Sequence, residues 1–440
     1  MLSKIMLFKI QFLLFLFILQ ISHASAGPLT RNFNIKLPLF EKTSAWRQPA
    51  KNTNILPESN SLILSTYRIL RGDFSHYVVP KGEIPSSWPN ISLETSEWTV
   101  PIYKAKNKKI RIKICTYSGY KHNLNTFTNG IGDIGTSGRA IKKITVDAPA
   151  SIIRPSLPSG IDSDGHMVLY NPKTRNEWDY WNATNRWEKP ARKNQSTFCR
   201  FGKGAGVITN RLRQTGSVAK FRLNKAGTSS EGQFSARASG TPLMAGLLLP
   251  EDFKSRKIHH ALSFAIPGPR NSCSEPYVCT NPHVYPATHT EDMYYSTDTN
   301  ALKMGQRIRL KSGPLKNNHG EVINEKRLSP ATRRVLDALR SYGAYLVDNS
   351  GGFTFYAEDR ATGKLDIKPR TLNWYVRAPQ GTPLPINKTA WQVLIEKVSD
   401  ELSQIPIAYG NFNGSNASTA IVTHNNFEVI NPATIFYKSY

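Results

Sequence analysis

The residues best suited to chemistry lie in one short segment that has the pattern of a β-hairpin. An alternating run from His166 to Tyr170 is followed by turn residues and by a second run that ends at Trp181. Side chains two residues apart on a strand share a face, so His166 and Tyr170 point one way. On the second run the same rule places Glu177, Asp179 and Trp181 on one face. Spacing alone leaves open whether the two faces coincide, because it does not determine the register between the strands.

A surface that combined these groups would resemble a sugar-binding groove, in which an indole stacks on a sugar ring and carboxylates or an imidazole transfer protons. A glycoside hydrolase needs two carboxylates that flank the scissile bond, a role suited to Asp164 and Asp179. A polysaccharide lyase needs a base and a group that stabilises the enolate. His166, Tyr170 and His260 suit that chemistry.

Aromatic side chains of the hairpin supply the predicted substrate contacts. Trp178 and Trp181 would hold a sugar beside the carboxylates. Gly165 and the acidic turn before it would place His166 at a sheet end that solvent and substrate can reach. The alternative is a structural role, in which the tryptophans belong to the core or cap an edge and the carboxylates are solvated.

Two further segments carry histidines. His260 shares an apolar strand face with Leu262 and Phe264, where a histidine is either a hydrogen-bonded core residue or a catalyst. Tyr285 and His289 lie in a loop-rich stretch and are predicted to contact substrate. The spacing there does not match paired metal ligands, and no phosphate-binding or dinucleotide-binding motif occurs, so neither a metal nor a cofactor is predicted.

The elements that must position these residues are short strands. Alternating or β-branched runs recur with Gly, Pro and Asn between them, which predicts a mainly β fold: an antiparallel β-sandwich or jelly roll with a few peripheral packing helices. Helices are predicted near 329–342 and 389–404, the first with Ser329 as its N-cap. We expect an N-terminal region over 27–95 and a large β-rich domain over 96–440.

Residues 1–26 have the pattern of a cleavable signal peptide. Lys4 and Lys9 precede an apolar run, and Ala24 and Ala26 supply the small residues of a cleavage site. The apolar run is too short to span ~30 Å of hydrocarbon comfortably. The pattern predicts a protein that is secreted or periplasmic after cleavage, without stable membrane insertion.

The charge of the chain points to the kind of partner. Lys and Arg number 57 against 31 Asp and Glu, a formal net charge of +26. Such a surplus favours an anionic polysaccharide or another anionic polymer, with nucleic acid as a less favoured partner. The alternative is a generally basic, solvated surface.

Four cysteines in an exported chain predict two disulfides, for which three pairings exist. Cys273 and Cys279 would close a tight loop, so we favour that pair, which leaves Cys115 with Cys199. The spacing of the cysteines does not suit a structural zinc site.

Several segments together resemble, in order, blocks of a widespread family of secreted bacterial proteins. They are SGIDSDGHMVLYNPKTRNEWDYW (159–181), GTPLMAGLLLPEDFKSRKIHHALSF (240–264), VYPATHT (284–290), MGQRIRLK (304–311) and RRVLDALRSYGAYLVDNSG (333–351). The resemblance extends over about residues 95–360. It points to Asp164, His166, Asp179, His260 and His289 as the polar members of otherwise structural blocks, and it names no substrate.

Export, positive charge and aromatic residues interleaved with proton-handling groups predict a secreted carbohydrate-active protein, a hydrolase or lyase that acts on an acidic polysaccharide. The alternative is a non-catalytic glycan-binding or surface-interaction protein, and a further alternative is a secreted nuclease or metallohydrolase. Convergence of His166, Asp164, Asp179 and His260 in one groove would favour an enzyme. Dispersal of these residues through the core, with only aromatic residues at the surface, would favour binding or plain scaffolding.

Overall fold

The computed structural model of the chain describes residues 30–78, 89–95, 98–105, 109–114, 143–147, 165–181, 183, 214–215, 217–223, 235–271, 273–274, 278–279, 283–290, 295–385, 387–411, 418 and 421–432. The predicted signal peptide, Asp164, Cys115 and Cys199 lie outside these residues.

Strands make up most of the described secondary structure, which confirms the prediction of a mainly β fold. In chain order they are β1 (Tyr77–Val78), β2 (Ile91–Glu94), β3 (Ile102–Lys104), β4 (Lys109–Ile114), β5 (Lys143–Asp147), β6 (Met167–Asn171), β7 (Asn176–Trp181), β8 (Gln214–Thr215), β9 (Ser217–Arg222), β10 (Leu262–Ile266), β11 (Cys273–Ser274), β12 (Val278–Cys279), β13 (Tyr295–Ser296), β14 (Arg307–Leu310), β15 (Ala344–Asn349), β16 (Phe353–Tyr356), β17 (Ala408–Asn411), β18 (Ile421–Asn425) and β19 (Phe427–Ile430).

The α-helices of the described residues are α1 (Ser59–Leu70), α2 (Pro330–Ser341), α3 (Pro369–Val376) and α4 (Ala390–Leu402). Helices α2 and α4 lie where the sequence predicts helices. Each of them begins at a residue whose side chain caps its N-terminus. The Ser329 hydroxyl accepts a hydrogen bond from the Thr332 amide, and the Thr389 hydroxyl accepts one from the Gln392 amide. Helices α1 and α3 have no such side-chain cap, and their residues carry no helix prediction.

The largest sheet has six strands in the order β19-β14-β15-β10-β16-β2. It is mixed rather than purely antiparallel, because β10 pairs parallel with β15 and β16 pairs parallel with β2. The long connection from β10 to β15, which contains α2, is the kind of crossover that a parallel pair requires. The antiparallel part of the sandwich prediction therefore holds for only some of the strand pairs.

The six-stranded sheet separates two cores. On β15 the side chain of Leu346 joins a core shared with all four helices, whereas Tyr345 and Val347 join a second core on the opposite face. The second core also receives residues from a four-stranded sheet, β3-β6-β7-β9. The layers are therefore helices, a mixed sheet and a second sheet, which gives a sandwich-like arrangement with helices on one side.

Residues 30–95 contribute to both cores. The segment 30–50 buries Ile35, Phe40 and Trp46 in the second core, while α1 packs into the first and β2 forms an edge of the six-stranded sheet. The hairpin turn between β6 and β7 holds the 30–50 segment, since the Arg175 guanidinium donates to the Leu39 carbonyl oxygen at 2.6 Å. Within the described residues, the predicted N-terminal region shares its cores with the large β-rich domain.

Strands β11 and β12 place Cys273 directly opposite Cys279 in antiparallel register. Directly opposed residues of an antiparallel pair have Cα atoms about 4.5–5.5 Å apart, within the range that a disulfide bridges. The pairing of these two cysteines stays a prediction that the backbone register permits. None of the helices in the described part of the chain has the length and apolarity needed to cross a membrane.

Candidate functional site

The register of the β6-β7 hairpin determines which of its side chains share a face. Val168 lies opposite Asp179 and Tyr170 lies opposite Glu177. Directly opposed residues project to the same side of a sheet, so the phenol and the two carboxyl groups share one face, as the sequence allowed. Trp178 lies opposite Leu169 and therefore projects to the other side. We call the side that carries Glu177 and Asp179 the hairpin face.

The hairpin face is turned into the second core. Glu177 and Asp179 are 0 % exposed, and residues 235–249 cover them. The Leu243 amide donates to Asp179 Oδ2 at 2.8 Å, and the Met244 amide donates to Glu177 Oε1 at 2.8 Å. The covering segment passes so close to β10 that a Cβ on Gly246, whose φ is +70°, would lie 2.5 Å from the Ser263 nitrogen. The two carboxyl groups are therefore enclosed and used to hold backbone amides.

Burial raises the pKa of Glu177, and it raises the pKa of Asp179 well above the usual value, with the neighbouring Glu177 carboxyl as the second cause. Each carboxyl group also acts on the pKa of the other, because the two side chains are neighbours on the same face of β7. Two enclosed carboxyl groups that hold backbone amides are better read as part of the folded core than as two independent catalysts.

A buried cation, Arg237, also acts on this carboxyl pair, and no sequence pattern singles it out. It is almost completely buried, donates from Nη2 to the Leu243 carbonyl oxygen at 2.8 Å and lies 4.5 Å from the ring centroid of Tyr356. Burial lowers the pKa of its guanidinium, while Tyr356, Asp348, Asp179 and Glu177 act electrostatically to raise it. Arg237 stands in a run of small residues without an alternating pattern, so only its three-dimensional neighbours reveal its role.

His166 is not at a solvent-accessible sheet end, contrary to the expectation from the sequence. Its side chain is 2 % exposed, and Nε2 donates to the Ala236 carbonyl oxygen at 3.0 Å. Tyr170 is also buried, and burial raises the pKa of its phenol. The half-buried Trp181 packs against the same core. The imidazole and the phenol therefore belong to the packing of the hairpin face rather than to an open groove.

The N-terminal segment closes the hairpin face from another side. The Phe33 ring stacks on Tyr170 with centroids 6.3 Å apart, and the Arg31 guanidinium lies 5.4 Å from the Phe33 centroid. Arg31 also binds two buried carboxylates, at 2.5 Å for Glu251 and 2.7 Å for Glu358. Burial raises the pKa of Glu358 to about 7 despite the attraction of Arg31, because one guanidinium serves two carboxylates.

His260 makes a separate pair. Its Nε2 lies 3.1 Å from Asp252 Oδ1 and its Nδ1 lies 2.9 Å from the Ala261 carbonyl oxygen. Burial alone would lower the pKa of His260, but the Asp252 carboxylate raises it above the usual value. Two acceptors around one ring favour the doubly protonated imidazolium, which has no lone pair to act as a base. Asp252 also accepts the Leu249 amide at 2.9 Å, so the pair stabilises this loop.

The remaining predicted contact residues lie in two other places. Lys220 Nζ lies 5.3 Å from the Trp178 ring on the outer side of the hairpin. Tyr285 precedes a cis proline and is half-buried at the edge of the second core. The amide of His289 donates to the Ser239 carbonyl oxygen at 3.2 Å, and its Nδ1 lies 3.0 Å from the Thr288 hydroxyl. Trp178 thus lies on the opposite side of the hairpin from Asp179, and Tyr285 and His289 lie in a separate loop.

The described residues contain no group of three or more His, Cys, Asp or Glu side chains that could hold a metal ion. No family model, curated protein or solved structure matches the chain.

Proposed function

We propose that the protein is an exported binding protein for anionic polysaccharides, and that its hairpin is a scaffold rather than a catalytic groove. The observation that carries this proposal is the enclosure of Glu177 and Asp179, which are 0 % exposed and hydrogen-bonded to backbone amides. A polymer of sugars is too large to enter a closed core. The residues that the sequence offers for proton transfer are therefore used for folding.

The anionic partner is supported by the distribution of charge. The formal net charge is +26, and many cations of the described residues are exposed to solvent. They include Lys254, Arg256, Lys257, Lys326 and Arg327. Exposed lysines and arginines create a positive potential that attracts polyanions and weakens as salt is added.

A second candidate function is cleavage of the same polysaccharide on the hairpin face, by hydrolysis or by a lyase reaction. It is favoured by the raised pKa values of Glu177 and Asp179, since carboxyl pairs with perturbed pKa values occur at catalytic sites. This function would require the 30–50 or the 235–249 segment to leave the hairpin face. The Arg31 ion pairs and the amide hydrogen bonds to both carboxyl groups oppose such a movement.

One experiment separates the two functions. The purified protein is titrated with polygalacturonate and with neutral dextran, and the same mixtures are assayed for new reducing ends and for the ultraviolet absorbance of an unsaturated uronate. We expect binding to polygalacturonate that weakens as the Debye length falls from ~10 Å at 0.1 M salt to ~3 Å at 1 M, without product. Reducing ends or an unsaturated product would support the catalytic alternative, and equal affinity for dextran would contradict the anionic partner.

A further inference from the structure

We propose that the outward face of α3 is the docking site for the acidic polysaccharide. The inference rests on the proposed binding function and adds a location to it. We define the α3 face as Arg370, Trp374 and Arg377, together with Lys326 beside the end of the helix. The occupant is a chain of sugars that carry carboxylate or sulfate groups.

Trp374 is the exposed centre of this face. Its side chain is 57 % exposed, although its helix neighbours Leu372 and Tyr375 are buried in the first core. Arg370 is exposed four residues earlier, and side chains at that spacing lie next to each other on a helix. The helix therefore turns its apolar side inward and presents an indole beside a guanidinium to solvent.

The conformation of Arg377 indicates that its side chain has a role that a glycine at this position could not fill. This residue ends α3 in the left-handed region, at a φ of 56°, where glycine is the usual residue and other residues are strained. Its guanidinium donates to the Lys326 carbonyl oxygen, which joins the end of the helix to a second exposed cation. Helix geometry places Arg370 and Arg377 about 10 Å apart along the axis, on either side of Trp374.

The α3 face is held rigidly by contacts on its inner side. The Tyr375 hydroxyl donates to the Phe253 carbonyl oxygen at 2.7 Å, and the Arg334 guanidinium lies 4.5 Å from the Tyr375 ring centroid. The indole is thus presented on a fixed support.

The cations of the α3 face have no acidic partner among the described residues, since no salt bridge there includes Arg370, Arg377 or Lys326. The acidic residues closest in sequence have their own partners, since Glu325 binds Arg340 at 2.6 Å and Asp366 binds Lys364 at 3.1 Å. Arg370 also stands in the first turn of α3, where a cation opposes the helix dipole and does not help the helix itself.

The chemistry of this face suits an acidic sugar chain. An indole offers a flat apolar surface to one side of a sugar ring, and a guanidinium can bind a carboxylate or sulfate through two parallel hydrogen bonds. An open helix face admits a long polymer at any point along its length. A nucleic acid could stack on the same indole, but the predicted export of the chain favours the polysaccharide, and nucleic acid becomes an outcome of the test.

The test measures binding of the full mature protein to polygalacturonate, with single-stranded DNA as a second probe. We expect Trp374→Ala to weaken polygalacturonate binding about tenfold, as for other tryptophans at the centre of an interface. The double variant Arg370→Gln with Arg377→Gly should weaken it several-fold at 0.1 M salt and less at 1 M. The glycine suits the left-handed position, so this variant should fold.

Matched controls change the same residue types elsewhere. Trp98→Ala removes another exposed tryptophan, and Lys51→Gln with Arg71→Gln removes two exposed cations outside the α3 face. Both controls should bind as the unchanged protein does. Thermal melting of every variant identifies any variant that binds poorly because it is unfolded.

The outcomes distinguish the location from the function. If the unchanged protein binds no polygalacturonate, the proposed function is wrong. If the unchanged protein binds and the α3 variants bind equally well, the function survives and the location is wrong. The same conclusion follows if the control variants lose as much affinity as the α3 variants. If single-stranded DNA binds more tightly than polygalacturonate and loses affinity in the α3 variants, the face serves nucleic acid and the polysaccharide assignment is overturned.

Discussion

The hairpin face and the α3 face both combine aromatic rings with charged groups, but their surroundings differ. On the hairpin face, the carboxyl groups of Glu177 and Asp179 are enclosed, and burial raises the pKa of both. On the α3 face, Trp374 is 57 % exposed and the guanidinium of Arg370 is open to solvent. The comparison teaches that residue types suited to chemistry do not identify a site until their access to solvent is known.

The largest expected effect on stability comes from removing the ion pairs that hold the N-terminal segment over the hairpin face. Arg31→Ala leaves Glu251 and Glu358 buried without their cation, and breaking such a buried ion pair costs about 3–5 kcal/mol. We expect a correspondingly lower free energy of unfolding in urea. Arg31→Lys should lose less, since it retains the charge. A loss below about 1 kcal/mol for the alanine variant would show that the N-terminal segment does not hold the fold.

The next effect tests whether His166 is structural. His166→Ala leaves the Ala236 carbonyl oxygen without its donor in the core, which costs about 1–3 kcal/mol. We expect a lower melting temperature and unchanged affinity for polygalacturonate in the folded fraction. His166→Gln offers an amide donor and should recover part of the stability. An unchanged melt with lost turnover of a polysaccharide would instead make His166 a catalytic residue and the hairpin face an active site.

A smaller effect is the pH dependence that the carboxyl pair gives to stability. The folded pKa of Asp179 lies well above its unfolded value of 3.8, so the unfolded chain loses this proton first as pH rises. Stability from this group is therefore greatest below about pH 4 and falls as the pH rises toward the folded pKa. Asp179→Asn retains an acceptor for the Leu243 amide and removes the proton. Its melting temperature should fall less than that of the unchanged protein as the pH rises above about 4, and parallel curves would contradict the raised pKa of Asp179.

The smallest effect on stability is expected on the α3 face. Trp374→Ala removes an exposed side chain whose ring makes an edge contact with Tyr375, at 5.1 Å between centroids, so we expect a loss of about 1 kcal/mol or less. Urea denaturation should therefore give a slightly lower free energy of unfolding while polygalacturonate binding weakens. A loss of 2 kcal/mol or more would show that the indole packs against the protein beyond this contact, and the contrast between the two faces would disappear.

Local signals predicted much of the fold because they act between neighbours in the chain. The Ser329 and Thr389 caps mark the starts of α2 and α4, and the alternation from His166 to Tyr170 marks β6. Helix α3 was missed because it is short and lacks a side-chain cap, and with it Trp374 was missed as a candidate contact. Arg237 was missed because its partners lie far away in the chain.

The sequence by itself determined the net charge of +26, the mainly β pattern, the two capped helices and the presence of proton-handling residues at alternating positions of one hairpin. Only the tertiary structure decided that these residues face inward. Their enclosure depends on the segments 30–50 and 235–249, which reach the hairpin face from distant parts of the chain. Period-2 alternation shows that a strand has two different faces, but which of them is covered is decided by packing between remote segments.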